Sequence, residues 1–134
     1  MSEQNPGHSK EEEKKVQAIL RNYEEKMGKI PEVVKLSTSR PDILIPMSEL
    51  AEHLLLDPKA LDRKTAELVA VSAASVIGCR PCIEFHIDAA VKNGTTFDEL
   101  YEVIMISSFM AQSSVQAEAL RVFQQQKKRA SRPR

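Results

Sequence analysis

The chain lacks tryptophan altogether and has only two tyrosines, four phenylalanines, four glycines and two cysteines among its 134 residues. With aromatics so scarce, Ala, Val, Ile, Leu and Met supply the apolar mass, and a helical core is the natural expectation. An excess of charge of either sign is also missing, because 19 Lys and Arg balance 19 Asp and Glu. No global field therefore draws the chain to nucleic acid or to an anionic membrane. Long hydrophobic runs are absent too. The longest uncharged stretches, Leu68 to Cys79 and Val103 to Ala117, fall short of the ~20 apolar residues that a membrane helix needs. The opening residues, MSEQNPGHSK, hold no apolar segment of the kind a secretory signal requires, so a cytoplasmic protein with normally reduced thiols is expected.

What is present reads as about six helices in one folding unit over residues 9–126, between a polar tail at residues 1–8 and a basic, proline-containing tail at residues 127–134. Ser9 and Glu12 form a capping-box pattern ahead of Val16, Ile19, Leu20 and Tyr23, and Gly28 closes that first helix. Pro31 opens a short second helix, and Pro46 is expected in the first turn of a third that runs through Leu50, Leu54 and Leu55. Asp62 is the N-cap expected for a fourth helix, which from Ala66 to Ile77 is apolar except at Glu67, Ser72 and Ser75. A helix apolar on nearly every side belongs in a buried position. Gly78 stops it, Cys79 and Pro81 begin the fifth helix, and Asn93-Gly94 ends that one. Thr96 and Glu99 cap a long sixth helix, expected to end near Gln126. Two helices apolar on more than one face exceed what a chain of this size covers alone, so one such face is expected against another subunit.

The chemistry concentrates between Glu67 and His86. The only two cysteines, Cys79 and Cys82, stand three apart. At a helix start this spacing puts both thiols on one face, close enough to form a disulfide, and the free first-turn amides favour a thiolate there. His86, four residues after Cys82, shares that face one turn along and is placed to act as a general base toward the thiol. Glu67 is the lone carboxylate in its apolar run, and a buried charge costs several kcal/mol unless it is paired. If the fourth and fifth helices fold back about Gly78, Glu67 can orient the His86 ring. Plainer alternatives stand beside these: buried cysteines acting as small hydrophobes, a surface histidine, and a Glu67 ion pair with Arg63 or Lys64. Cys79, Cys82 and His86 supply three metal ligands where a closed site takes four, so no metal site is expected.

The constellation Glu67, eleven residues, Cys79-x-x-Cys82, three residues, His86 resembles the signature of the AhpD-like branch of the carboxymuconolactone decarboxylase superfamily. The likeness covers residues 60–120, including the AAVKNGTT stretch after the cysteines. The resemblance implies an all-α fold, assembly into trimers or hexamers, and an antioxidant oxidoreductase activity as a disulfide reductase or alkylhydroperoxidase. It also implies roles: Cys82 attacks, Cys79 resolves, His86 takes the proton and Glu67 completes the relay. The residues alone leave the order of the cysteines open, since Cys79 lies nearer the helix start while His86 favours Cys82. The sequence departs from the prototype at Pro81, where the prototype carries a histidine.

The leading expectation is thus an enzyme that cycles Cys79 and Cys82 between dithiol and disulfide. It would reduce a peroxide or a disulfide and be restored by a dithiol reductant protein, with no organic or metal cofactor. The alternative is an oligomeric scaffold in which the same pair is a redox sensor. Lys127, Lys128, Arg129, Arg132 and Arg134 are expected to be a solvated basic tail rather than a nucleic-acid contact.

Overall fold

The computed structural model describes residues 9–131. The tail expected over residues 1–8 and the last three residues of the basic tail lie outside the described residues. Among the described residues there is no strand; the order is α1 (Lys10–Met27), α2 (Glu32–Leu36), a 3-10 turn (Ser37–Ser39), α3 (Pro41–Ala51), a π-helical turn (Glu52–Leu56), α4 (Arg63–Ile77), α5 (Arg80–Lys92) and α6 (Phe97–Ala130). No helix among them is long and apolar enough to cross a membrane. The chain divides into two compact units whose boundary, between Glu67 and Leu68, falls inside α4.

In the first unit the expected capping box opens α1. The Glu12 amide donates to Ser9 Oγ at 3.2 Å, and the Ser9 amide donates to Glu12 Oε2 at 2.8 Å. Val16, Tyr23 and Met27 then fall on the buried face, and α1 packs against α3, which buries Leu44 and Ser48. Gly28 takes a left-handed φ of 72° and returns its amide to the Glu24 carbonyl at 2.9 Å, which a side chain with a Cβ does only under strain. The third helix corrects the sequence reading. Pro41, not Pro46, occupies its first turn, and Pro46 lies inside it. Pro41 suits the opening position because its fixed φ is already helical and its missing N–H has no partner to lose there. Pro46 leaves the Asp42 carbonyl without the usual i→i+4 donor. Beyond Ala51 the chain widens into the π turn, closed by the Asp57 amide on the Glu52 carbonyl at 2.7 Å, so Leu54 and Leu55 do not continue an α-helix.

The second unit is built around Val71 of α4, Ala90 of α5 and Leu100 of α6, with Leu68, Ile87, Val103 and Ile104 packed against them. Ala90 is wholly buried, and its lack of a longer side chain lets backbones approach. A polar contact joins α4 to α6: the Ser107 hydroxyl lies 2.7 Å from the Ser72 hydroxyl, within hydrogen-bond reach, and 2.6 Å from the Val103 carbonyl of its own helix, to which it can also donate. The expected N-caps hold. Asp62 accepts the Thr65 amide at 2.8 Å ahead of α4, and Thr96 and Glu99 form the reciprocal box that opens α6.

Two expectations about these helices change. In α4 the chain buries Ala66, Glu67, Val71 and Ala74, while Val69, Val76 and Ile77 are more than half exposed, so the helix is apolar all round without being buried all round. In α6 the helix does not end near Gln126 but continues through Lys127, Lys128 and Arg129 to Ala130. Cations are favoured at a helix C-terminus, and neither Gly nor Pro interrupts residues 98–130.

Candidate redox site

The link between α4 and α5 is two residues long, Gly78 and Cys79. Gly78 has a φ of 74°, and its amide meets the carbonyls of Ala74 and Ser75 at 3.0 and 3.2 Å, while the Cys79 amide donates to the Ala74 carbonyl at 3.1 Å. This is a Schellman closure, in which the residue after the left-handed glycine bonds back five positions and caps the orphan carbonyls of α4. Cys79 is at once the last residue of that closure and the N-cap of α5. The first turn of the new helix is set by the Ile83 amide on the Cys79 carbonyl at 2.9 Å. Pro81 sits in that turn, where it has no hydrogen bond to forfeit.

Cys79 and Cys82 are joined by a disulfide with their Cα atoms 5.3 Å apart, inside the span such a bond requires. The pair is partly exposed. Arg80, between the cysteines, is exposed and paired with Glu84 one turn on, Nε to Oε1 at 2.9 Å. No side chain caps the start of α5, so the first-turn amides of Arg80 and Cys82 have no intrahelical acceptor and present partial positive charge at the thiols. The Arg80–Glu84 pair was not singled out from the sequence, although its i, i+4 spacing is a legible signal.

His86 follows Cys82 by one turn on α5. Its ring stands edge-on to Phe85, with centroids 5.2 Å apart and planes at 88°; Phe85 is buried and His86 partly so. Glu67 is fully buried, at 0 % exposure. Glu67, Val71 and Ala74 recur at i, i+4 and i+7 along α4, and all three are buried. The structure thus brings Cys79 and Cys82 into a bond, sets His86 one turn along the same helix, and buries Glu67 on the helix before the link. Among the described residues no group of three or more His, Cys, Asp or Glu is arranged to hold a metal ion.

Fold and site together define an all-α protein with a disulfide-forming CxxC pair at a helix start. The chain belongs to the carboxymuconolactone decarboxylase family, whose match spans residues 41–125 and so includes Glu67, Cys79, Cys82 and His86. A curated protein of Paracoccus denitrificans, named "Uncharacterized protein 4 in cox locus", is 37% identical over 60 residues, or 45% of this chain and 54% of that protein. The chain thus spans about half the length of that relative. No solved structure matches the chain.

Proposed function

We propose that the protein is a thiol–disulfide oxidoreductase of the AhpD-like branch, reducing disulfides or alkyl hydroperoxides with Cys79 and Cys82. The observation that carries this reading is the disulfide between the N-cap and the third residue of α5, beside first-turn amides that favour a thiolate. In the reduced enzyme His86 takes the Cys82 proton, and Glu67 holds the imidazole and relays that proton. The Cys82 thiolate attacks one sulfur of a substrate disulfide, forming a mixed disulfide and expelling the first substrate thiolate. Cys79 then attacks Cys82 Sγ, releases the second thiolate and closes the Cys79–Cys82 bond. Two electrons have passed from the pair to the substrate.

With a hydroperoxide the same thiolate attacks the terminal oxygen. The O–O bond breaks, an alcohol leaves, and Cys82 becomes a sulfenic acid that Cys79 condenses with, losing water to give the same disulfide. A dithiol protein returns the two electrons and reopens the pair. Pro81 stands where the prototype carries a histidine, so the peroxide branch has one proton-relaying group fewer, and disulfide exchange is the better supported of the two.

The test is a count of free thiols before and after a stoichiometric hydroperoxide or model disulfide is added to reduced protein. Wild type should lose two thiols per chain, and Cys82→Ser should turn over nothing. Sustained turnover by Cys82→Ser removes the proposal. Oxidation that changes assembly without turnover would favour the sensor reading instead. Glu67→Gln, which keeps the side chain's shape, should slow thiol oxidation about ten- to a hundredfold and shift its pH profile.

A further inference from the structure

Cys79 is the N-cap of α5, Arg80 its first helical residue, Pro81 its second and Cys82 its third. An N-cap side chain accepts hydrogen bonds from the backbone N–H of the second or the third helical residue. The second here is Pro81, which has no N–H. The third is Cys82, whose amide is bonded to no group among the described residues. At the starts of α1 and α6 it is the third amide that the cap takes, Glu12 to Ser9 Oγ and Glu99 to Thr96 Oγ1, at 3.2 Å in each case. With the disulfide closed, no side chain caps α5. Reduction frees Cys79 Sγ for that role, and the Cys82 amide is the capping donor left to it.

We propose that Pro81 sets the reducing strength of the pair, by withholding from Cys79 one of the two backbone amides that an N-cap thiolate can accept from. This deepens the oxidoreductase reading and rests on it. In the closing step Cys79 Sγ attacks Cys82 Sγ, the bond from Cys82 to the substrate sulfur breaks, and the electron pair leaves with that sulfur. In the opening step a thiolate of the dithiol protein attacks Cys82 Sγ, the Cys79–Cys82 bond breaks, and its electron pair leaves on Cys79 Sγ. Cys79 is thus the nucleophile of one half of the cycle and the leaving group of the other. Each hydrogen bond to its thiolate stabilises the reduced protein, which makes the pair a poorer electron donor, and a thiol of lower pKa is also the weaker nucleophile. An N–H at position 81 would do both. Pro81 removes it and favours the passage of electrons from the pair to a disulfide.

The charges flanking the link leave this role to the amides. Residues 71–77, the last two turns of α4, contain no ionisable side chain. From α6, the residues packed against α4 and α5 are Leu100, Val103, Ile104 and Ser107, none of them ionisable. On α5 itself, Arg80 is 87 % exposed and paired with Glu84, and both stand about 160° around the helix from Cys82. His86 lies one turn beyond Cys82, and it and Glu67 are the groups already assigned to the Cys82 proton. A change at position 81 alters none of these.

Pro81→Ala restores the amide at an exposed position, and Pro81→Gln should act like it, because the backbone N–H and not the side chain is what matters. In a Cys82→Ser background, where Cys79 is the one thiol, thiolate absorbance at 240 nm is followed against pH. Either substitution should raise the acid dissociation constant of Cys79 about tenfold, the lower end for a hydrogen bond to a charged group. In a Cys79→Ser background the same substitutions should change that of Cys82 by less than about twofold. In the two-cysteine protein, the equilibrium constant for oxidation by a reference disulfide should fall about tenfold, or about 30 mV, at a pH where Cys79 is ionised in both proteins. The difference should vanish as the pH falls below the range in which Cys79 ionises. Unchanged ionisation of Cys79, equal changes at both cysteines, opposite effects of Ala and Gln, or a change in the equilibrium constant that is the same at every pH overturns the proposal. Neither readout needs turnover, so failure of the oxidoreductase reading and failure of this role for Pro81 are told apart.

Discussion

Opening the Cys79–Cys82 disulfide should cost the fold little, and the size of that cost follows from the loop it closes. The bond links residues three apart, so the closed loop has four residues, for which the chain-entropy relation gives about 2 kcal/mol of stabilisation. Reduction returns part of this. A thiolate at the start of α5 interacts favourably with the helix dipole, worth about 0.5–1 kcal/mol, which leaves a net loss of about 1–1.5 kcal/mol. An unfolding entropy of ~2.1 cal/mol/K per residue makes 1 kcal/mol equal to about 4 °C in a chain of this length. The expected fall in Tm on reduction is therefore about 4–6 °C. Thermal unfolding followed at 222 nm with and without a non-thiol reductant measures it, with Cys79→Ser/Cys82→Ser as the control that does not respond to reductant. A fall of more than about 15 °C, or loss of helical signal on reduction, would refute the reasoning. The pair would then be a structural staple, and a staple that unfolds its protein when opened cannot be cycled.

The remaining predictions concern packing, capping and pH. Val71→Ala, at a fully buried site, should lose about 2–3 kcal/mol from the removed methyl groups and the cavity they leave, whereas Val76→Ala on the exposed side of the same helix should change stability by less than about 0.5 kcal/mol; denaturant midpoints compare the two. Thr96→Ala removes the hydroxyl that accepts the Glu99 amide and should cost about 1 kcal/mol, with Thr96→Asn close to wild type; equal losses would deny the cap a role. Burial, and after it the Glu52 carboxylate, hold the Tyr23 phenol above its ordinary 10.0. The folded chain therefore keeps a proton that the unfolded chain gives up near pH 10, so stability is intact below that pH and falls as pH rises past it. Wild type should lose stability above the ordinary 10.0 of a phenol more steeply than Tyr23→Phe, and parallel slopes in urea titrations would rule this out.

The parts of this fold that were legible in the sequence are those decided within a turn of chain. Ser9 with Glu12, Thr96 with Glu99, and the glycines at 28, 78 and 94 mark helix ends because their partners lie three to five residues away. The cysteine pair was legible for the same reason, and so was the burial of Glu67, the one carboxylate in an apolar run. Pro41 and Pro46 show where such reasoning stops. Either can open a helix, and only the packing of α3 on α1 decides that the earlier one does so, with a broken backbone bond at the later one. The π turn after Ala51 had no local signature. The end of α6 was misjudged because a Lys and Arg run reads as a tail by composition, although those residues are also the ones a helix C-terminus favours. Nor does a pattern apolar on all sides say which side is covered, and α4 leaves Val76 and Ile77 open.

The placement of the cysteines explains why the chemistry and the stability of the second unit can be separated. Cys79 belongs to a link whose amide is already bonded to the Ala74 carbonyl, so the backbone there is held by α4 whether or not the disulfide is closed. Cys82 is held by the first turn of α5, through the Ile83 amide on the Cys79 carbonyl. Breaking the S–S bond frees only two short side chains. The central cluster of the second unit is set back from it: Val71 lies eight residues before Cys79 and Ala90 eight residues after Cys82, with buried Ala74 and Phe85 in between. A core substitution such as Val71→Ala should therefore lower the unfolding midpoint while leaving the rate of thiol oxidation unchanged at temperatures where the chain is folded. Gly78 is the one position where the two must move together. A side chain there has to adopt a φ of 74° or abandon the Schellman closure that sets the start of α5, so Gly78→Ala should lower stability by about 1 kcal/mol and slow disulfide closure in the same protein.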